Sequence, residues 1–152
     1  MTEPDQTWVD EARILRERVP EHVLFLCLAN SARSQMAEAM ARALAPSAVT
    51  ISSAGSAPST VRPEALAVLD ELSLDASGQR SKAVAEVDTD TVQLVVTLCA
   101  DEVCPTVLRP VPQLHWGFSD PAATAGDEDA RLAAFREIRD AIRERLYVLF
   151  HG

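Results

Sequence analysis

Cys27, Arg33 and Ser34 close the run Val23-Leu-Phe-Leu-Cys27-Leu-Ala-Asn-Ser-Ala-Arg33-Ser34, in which apolar residues deliver a thiol into a short polar loop. The set suits attack on an oxyanion. Cysteine is a soft nucleophile and arginine a planar cation that grips two oxygens. Leu28, Ala29, Asn30, Ser31 and Ala32 between them supply backbone N–H groups that can converge on a third. A free thiol is mostly protonated near neutrality and only the thiolate attacks, so such a loop has to favour the anion. Taken by spacing alone, Cys27 also fits a buried cysteine closing a strand, because free cysteine packs as a small hydrophobe.

The surrounding pattern supplies the elements that would hold this loop. His22 to Leu26 reads as a strand, and Met36, Ala37, Met40, Ala41 and Leu44 recur at helical spacing, predicting a helix from about Ser34 to Leu44. The loop would then sit at a helix N-terminus, where unpaired amides and the helix dipole favour an anion. Val49 to Ser53 reads as a second strand closing on Ala54-Gly55, which completes a β-α-β unit. Pro63 is placed to open a helix carrying Ala65, Leu66, Leu69 and Leu72. Val92 to Leu98 is nearly all apolar, as expected of a strand covered on both faces, and Cys99 stands at its end. A proline-containing loop leads to a short strand, Gln113 to Trp116, then to Asp120-Pro121 and a last helix from about Asp127 carrying Leu132, Phe135, Ile138, Ile142, Leu146 and Leu149. The alternation predicts an α/β domain, a central four-stranded parallel sheet with helices on both faces. Parallel sheets bind ligands at the carboxyl ends of their strands, so Cys27, Cys99 and Asp120 should meet along one edge.

Residues 1–20 fall outside this alternation. Trp8, Ala12, Leu15 and Val19 share one face of an expected helix over Thr7 to Val19, and the resulting division is a helical extension at 1–20 followed by a domain at 21–152.

Bulk properties narrow the function. A chain of 152 residues with 47% hydrophobic content can build a genuine core, and no apolar run approaches the roughly 20 residues needed to span a bilayer. The formal net charge of -9 argues against nonspecific binding to nucleic acid or anionic membranes. The acidic, polar start lacks a signal-peptide pattern, so the expected location is the cytoplasm. Three cysteines in a reducing compartment fit transient redox chemistry better than a structural framework.

Strand, Cys27-x5-Arg33, Ser34 and helix together resemble the phosphate-binding loop shared by low-molecular-weight protein tyrosine phosphatases and thioredoxin-coupled arsenate reductases. Asn30 and Ser31 fit that loop, as do Gln35-Met-Ala-Glu38 after the arginine and Ser53-Ala-Gly55 after the next strand. Gln35 stands where the phosphatases commonly have proline. Leu94-Val-Val-Thr-Leu-Cys99 through Cys104-Pro105, and His115-Trp-Gly-Phe-Ser-Asp120-Pro-Ala122, look like the reductases. The resemblance covers the chain from about His22 to the last helix.

That resemblance implies a low-molecular-weight tyrosine phosphatase-like fold and a relay in which Cys27 attacks arsenate gripped by Arg33 and the amides of residues 28–34. Asp120 protonates the departing oxygen. Cys99 then attacks the Cys27 sulfur, releasing arsenite, and Cys104 attacks Cys99, leaving a Cys99–Cys104 disulfide for thioredoxin. It implies no tightly bound cofactor, thioredoxin as external reductant, and phosphate or sulfate as ions that can occupy the loop. Asn30, Ser34, Glu38 and Ser53 would support the loop. Some members hold potassium with residues matching Asn30, Glu38, Ser53 and an aspartate; here the last position is Lys82, whose fixed ammonium would repel a cation and substitute for its charge, so no metal is expected. Ala32 replaces a further cysteine common in related loops.

Elementary geometry adds a constraint. Positions five apart on a helix lie about 140° around its axis, and a disulfide needs Cα atoms roughly 4.4 to 6.8 Å apart, so the segment between Cys99 and Cys104 has to be irregular or unwind on oxidation. Competing readings stay open: burial or a zinc site for Cys99, Cys104 and His115, a plain turn for Asp120 before Pro121, and packing for His115 and Trp116. At the level of function, the alternatives are a low-molecular-weight tyrosine phosphatase and a noncatalytic oxyanion-binding or redox-sensing protein.

Overall fold

Two six-residue segments, His22–Cys27 and Leu94–Cys99, are buried at every position in the computed structural model, which describes residues 20–100 and 110–151. Burial on both faces is what a central parallel strand requires, and these segments are β1 and β3. Thr50–Gly55 forms β2 and Gln113–Phe118 forms β4. All pairings are parallel, in the order β2-β1-β3-β4. The register puts Cys27 opposite Gly55, Leu26 opposite Thr97 and Cys99 opposite Phe118, with an irregularity between Thr97 and Cys99. Carboxyl ends of three neighbouring strands therefore converge, as the β-α-β pattern demands.

Three helices, α1 (Arg33–Leu44), α2 (Pro63–Asp70) and α3 (Glu128–His151), pack into one cluster with Val23, Phe25, Leu94, Val96, Leu114 and Trp116. On the opposite face Leu24, Leu26, Ala54, Val92 and Val95 form a smaller cluster, covered among the described residues by Val111 and by Val84 and Val87 at a short 3-10 turn. The helix expected over Thr7 to Val19 lies outside the described residues.

Among the boundaries that differ from the sequence reading, two have clear local reasons, while β3 begins at Leu94, two residues later than expected, and β2 runs to Gly55. The α2 helix stops at Asp70, and Leu72 instead belongs to a terminating turn in which Leu74 N–H reaches back to Leu69 O while Ser73 takes φ 61°. Such a Schellman closure usually uses glycine, so serine gave no stop signal. The β4 strand runs two residues past Trp116, because Phe118 still pairs with Cys99, and Gly117 just before it lies where a Cβ would come within 3.3 Å of Cys99 O. The α3 helix buries Phe135, Arg139, Ile142, Leu146 and Leu149, so an arginine sits in a row the periodicity assigned to apolar groups. Its Nη1 donates to Val68 O and Glu71 Oε1, both at 2.8 Å or less, tying α3 to α2.

Candidate active site

Cys27 ends β1 and α1 begins at Arg33, so five residues must reverse the chain between a buried strand and a buried helix. Each loop carbonyl is bonded away from the centre. Leu28 O accepts from Ala57 N, Ala29 O from Ser59 N and Ser81 Oγ, Asn30 O from Gln35 Nε2, Ser31 O from Arg62 N, and Ala32 O from Met36 N. With the carbonyls fixed outward, the peptide dipoles turn their N–H ends toward the centre, which is the arrangement that binds an anion. Ala32 gives α1 no side-chain cap and its first turn holds no acidic residue, so the helix N-terminus adds donors that an anion can satisfy.

Two residues let the loop turn this tightly. Asn30 adopts φ 48°, a conformation asparagine tolerates better than most residues. Gly55 faces it from β2, where an added Cβ would lie 2.4 Å from Leu28 O and 2.9 Å from Asn30 N. Only the missing side chain permits this approach.

Beneath the loop lies a buried polar network. Ser34 Oγ is 2.8 Å from Cys27 Sγ and accepts from Asn30 Nδ2 at 2.7 Å. The same Asn30 amide donates to Ser53 Oγ at 2.9 Å, and Ser53 donates to Glu38 Oε1 at 2.6 Å. Glu38 also pairs with Arg42 at 2.8 Å and with Lys82 Nζ at 3.4 Å. Lys82 N–H donates to Asn30 Oδ1 at 2.8 Å, so backbone and side chain of one residue hold two parts of the network. The Glu38 carboxylate thus faces two cationic side chains, the Arg42 guanidinium at Oε2 and the Lys82 ammonium at Oε1.

Above the loop, a small cavity of about 50 Å³ is lined by Cys27, Leu28, Ala29, Ser31, Ala32, Arg33 and Asp120. Its size is on the scale of a single small tetrahedral ion. Arg33 Nη1 donates to Phe118 O at 2.8 Å, linking the guanidinium to the end of β4. Asp120 follows that strand; its Oδ1 accepts from Ala122 N at 2.9 Å, so the residue both closes a turn and lines the cavity.

Cys27 is a free, buried thiol, whereas Cys99, at the end of the neighbouring strand, is disulfide-bonded. Cys104 and the segment 101–109, including the irregular stretch expected there, lie outside the described residues. In the disulfide state Cys99 is not the thiolate ligand that the zinc alternative requires. His115 Nδ1 lies 2.6 Å from Thr97 Oγ1. Among the described residues no group of three or more His, Cys, Asp or Glu is placed to hold a metal ion. Trp116 is fully buried in the core, as a packing residue should be, while His115 is on the exposed surface of β4.

Sequence reasoning did not assign roles to Gln79 or Ser81, or to the backbone of 57–62. Gln79 Nε2 donates to Gln35 Oε1 at 2.7 Å, and Gln35 Nε2 in turn donates to Asn30 O, Asn30 Oδ1 and Arg80 O. These residues lie in polar loops with no periodicity, and nothing in their spacing marks them.

The sequence profile described as low molecular weight phosphotyrosine protein phosphatase matches residues 22–151. The arsenate reductase of Halalkalibacterium halodurans is 37% identical over 126 residues, covering 82% of this chain and 91% of that protein. A solved arsenate reductase in its phosphate-binding state superposes with a TM-score of 0.70 at 32% identity, over 83% of this chain and 93% of the other. The thioredoxin-dependent arsenate reductase of Corynebacterium glutamicum gives a TM-score of 0.61 at 26% identity, over 91% of this chain and 68% of that one. With its anion-binding loop between β1 and α1 and its four-stranded parallel sheet, the chain belongs to the low molecular weight phosphotyrosine protein phosphatase family, on the side of it occupied by arsenate reductases.

Proposed function

We infer that this protein is an enzyme that reduces arsenate to arsenite, with Cys27 as nucleophile and thioredoxin as external reductant in the cytoplasm. Its support is the contrast between two neighbouring strand ends: a free thiol in an anion cradle at Cys27 and a redox-engaged cysteine at Cys99. Neighbouring strands lie about 4.8 Å apart, which brings the two chain segments within range of exchange by modest loop motion. A phosphatase needs the first of these cysteines only.

Arg33 and the inward amides hold the oxyanion while Cys27 forms a sulfur–arsenic bond, and Asp120 gives a proton to the oxygen that departs. Cys99 thiolate then attacks the Cys27 sulfur. The sulfur–arsenic electron pair stays on arsenic, which leaves as arsenite; the two electrons are supplied by the Cys27 and Cys99 sulfurs, which are oxidised to the Cys27–Cys99 disulfide. Cys104 attacks Cys99, freeing Cys27 and forming Cys99–Cys104, which the thioredoxin dithiol reduces. Ser34, Asn30, Ser53, Glu38 and Lys82 act by keeping the cradle in shape, with the Lys82 ammonium balancing the buried Glu38 carboxylate.

The test is arsenite production with thioredoxin, thioredoxin reductase and NADPH by the wild type and by Cys27→Ser, Cys99→Ser and Cys104→Ser. Each variant should lose multiple turnover, and Cys27→Ser should fall by about a thousandfold or more. Full turnover by Cys104→Ser would remove it from the relay. Phosphate binding without any arsenite production by the wild type would make the protein a binder.

A further inference from the structure

Arg33 owes part of its orientation to Phe118 O, the carbonyl of the last residue of β4. That is a half-buried place, at the end of a strand, to anchor a substrate clamp. Among the described residues β4 pairs only with β3, its register is irregular just before Phe118, and Gly117 beside it contributes no side chain. A strand end paired on one side only leaves its carbonyl more freedom to shift, and the guanidinium with it.

Arg145 offsets this. Its guanidinium carbon lies 4.7 Å from the centroid of the Phe118 ring and 5.9 Å from that of Trp116. Both distances are within the range of cation–π attraction. Trp116 and Leu146, next to Arg145 in α3, are fully buried, so the two ends of the contact are anchored in the core. Phe118 is half-buried and packs against the same cluster. The chain of contacts runs from α3 through the Phe118 ring to its carbonyl and from there to Arg33.

We propose that Arg145, outside the anion loop, is a positioning residue: stacked on Phe118, it fixes the end of β4 whose carbonyl orients Arg33 toward the oxyanion. This rests on Arg33 being the oxyanion clamp. The two can be separated by measuring the dissociation constant of inorganic phosphate at 25 °C for Arg33→Lys, Arg145→Gln, Phe118→Leu and the double variants, each checked for folding by circular dichroism.

Arg33→Lys should weaken phosphate by about tenfold, since lysine cannot make the bidentate grip; unchanged binding there would sink the clamp itself. Arg145→Gln should weaken phosphate by about fivefold, and by less than about twofold when Arg33 is already lysine. Phe118→Leu keeps the positive charge and the carbonyl but removes the ring, and it should match Arg145→Gln with little further loss when the two are combined. Losses from Arg145→Gln and Arg33→Lys that simply add would overturn the proposal, because a general loss of stability or a distant charge acts independently of Arg33. Wild-type affinity in Phe118→Leu would overturn it too, and this variant serves if Arg145→Gln does not fold.

Discussion

Two faces of α1 bury opposite kinds of residue along one continuous helix. Ser34, Gln35 and Glu38 on one face are no more than 1% exposed, and so are Met36, Ala37, Met40 and Ala41 on the other. The apolar part is stabilised by leaving water, at about 25 cal/mol per Å². The polar part gains nothing that way, since burying an amide or carboxylate without partners costs several kcal/mol. It is tolerated because the groups are paired: Asn30 joins Ser34 to Ser53, Ser53 joins Asn30 to Glu38, and Glu38 meets two cations. One face of the helix therefore holds the fold, while the other holds the shape of a binding site.

That division can be broken experimentally. Glu38→Ala should have the largest effect, roughly 4 kcal/mol of stability, because it takes the carboxylate from Lys82 and Arg42 and leaves Ser53 without its acceptor. It should also abolish measurable phosphate binding in the protein that remains folded, read by calorimetric titration beside a denaturant curve. Met40→Ala should cost roughly 3 kcal/mol in the same denaturant experiment yet leave phosphate affinity within about twofold. A Met40 variant that lost phosphate in proportion to stability would erase the distinction between the faces.

The smallest effect tests whether any buried polar group would serve. His22 lies at the far end of β1, with Nδ1 2.8 Å from Thr91 Oγ1 and Nε2 2.8 Å from Ser52 Oγ. Burial holds its imidazole below the usual 6.5, against the opposing pull of Asp88. The unfolded chain thus binds the proton more readily, so this contribution to stability is complete above about pH 6.5 and declines as pH falls toward the folded value. Denaturant midpoints at several pH values should show that slope in the wild type and lose it in His22→Asn, with phosphate affinity unchanged in both. A change in affinity would mean that the cradle's network extends down the strand.

How much of this could be read from the sequence follows the same division. Apolar periodicity found α1, α2, α3 and the strands, because the hydrophobic effect acts on residue type and repeats with the geometry of the element. Cys27, Arg33 and Asp120 were legible by residue type and by falling just after strands. Gln79 and the Phe118 carbonyl were not, since a hydrogen bond between distant loops leaves no period in the sequence, and a backbone group leaves no mark at all. Arg139 was hidden differently: it occupies a core position and is stabilised there by Val68 O and Glu71, partners that only the packing of α2 against α3 supplies.

The segment from Ala57 to Arg62 has no regular secondary structure, yet three of its amides, those of Ala57, Ser59 and Arg62, are committed to carbonyls of the anion loop. Ordinary loops exchange their amide hydrogens with solvent quickly, because opening them breaks little. Here, releasing any of those hydrogens means opening the cradle itself. Deuterium uptake at these three positions thus becomes a clock for how often the binding loop comes apart, and an ion seated in the loop should slow it.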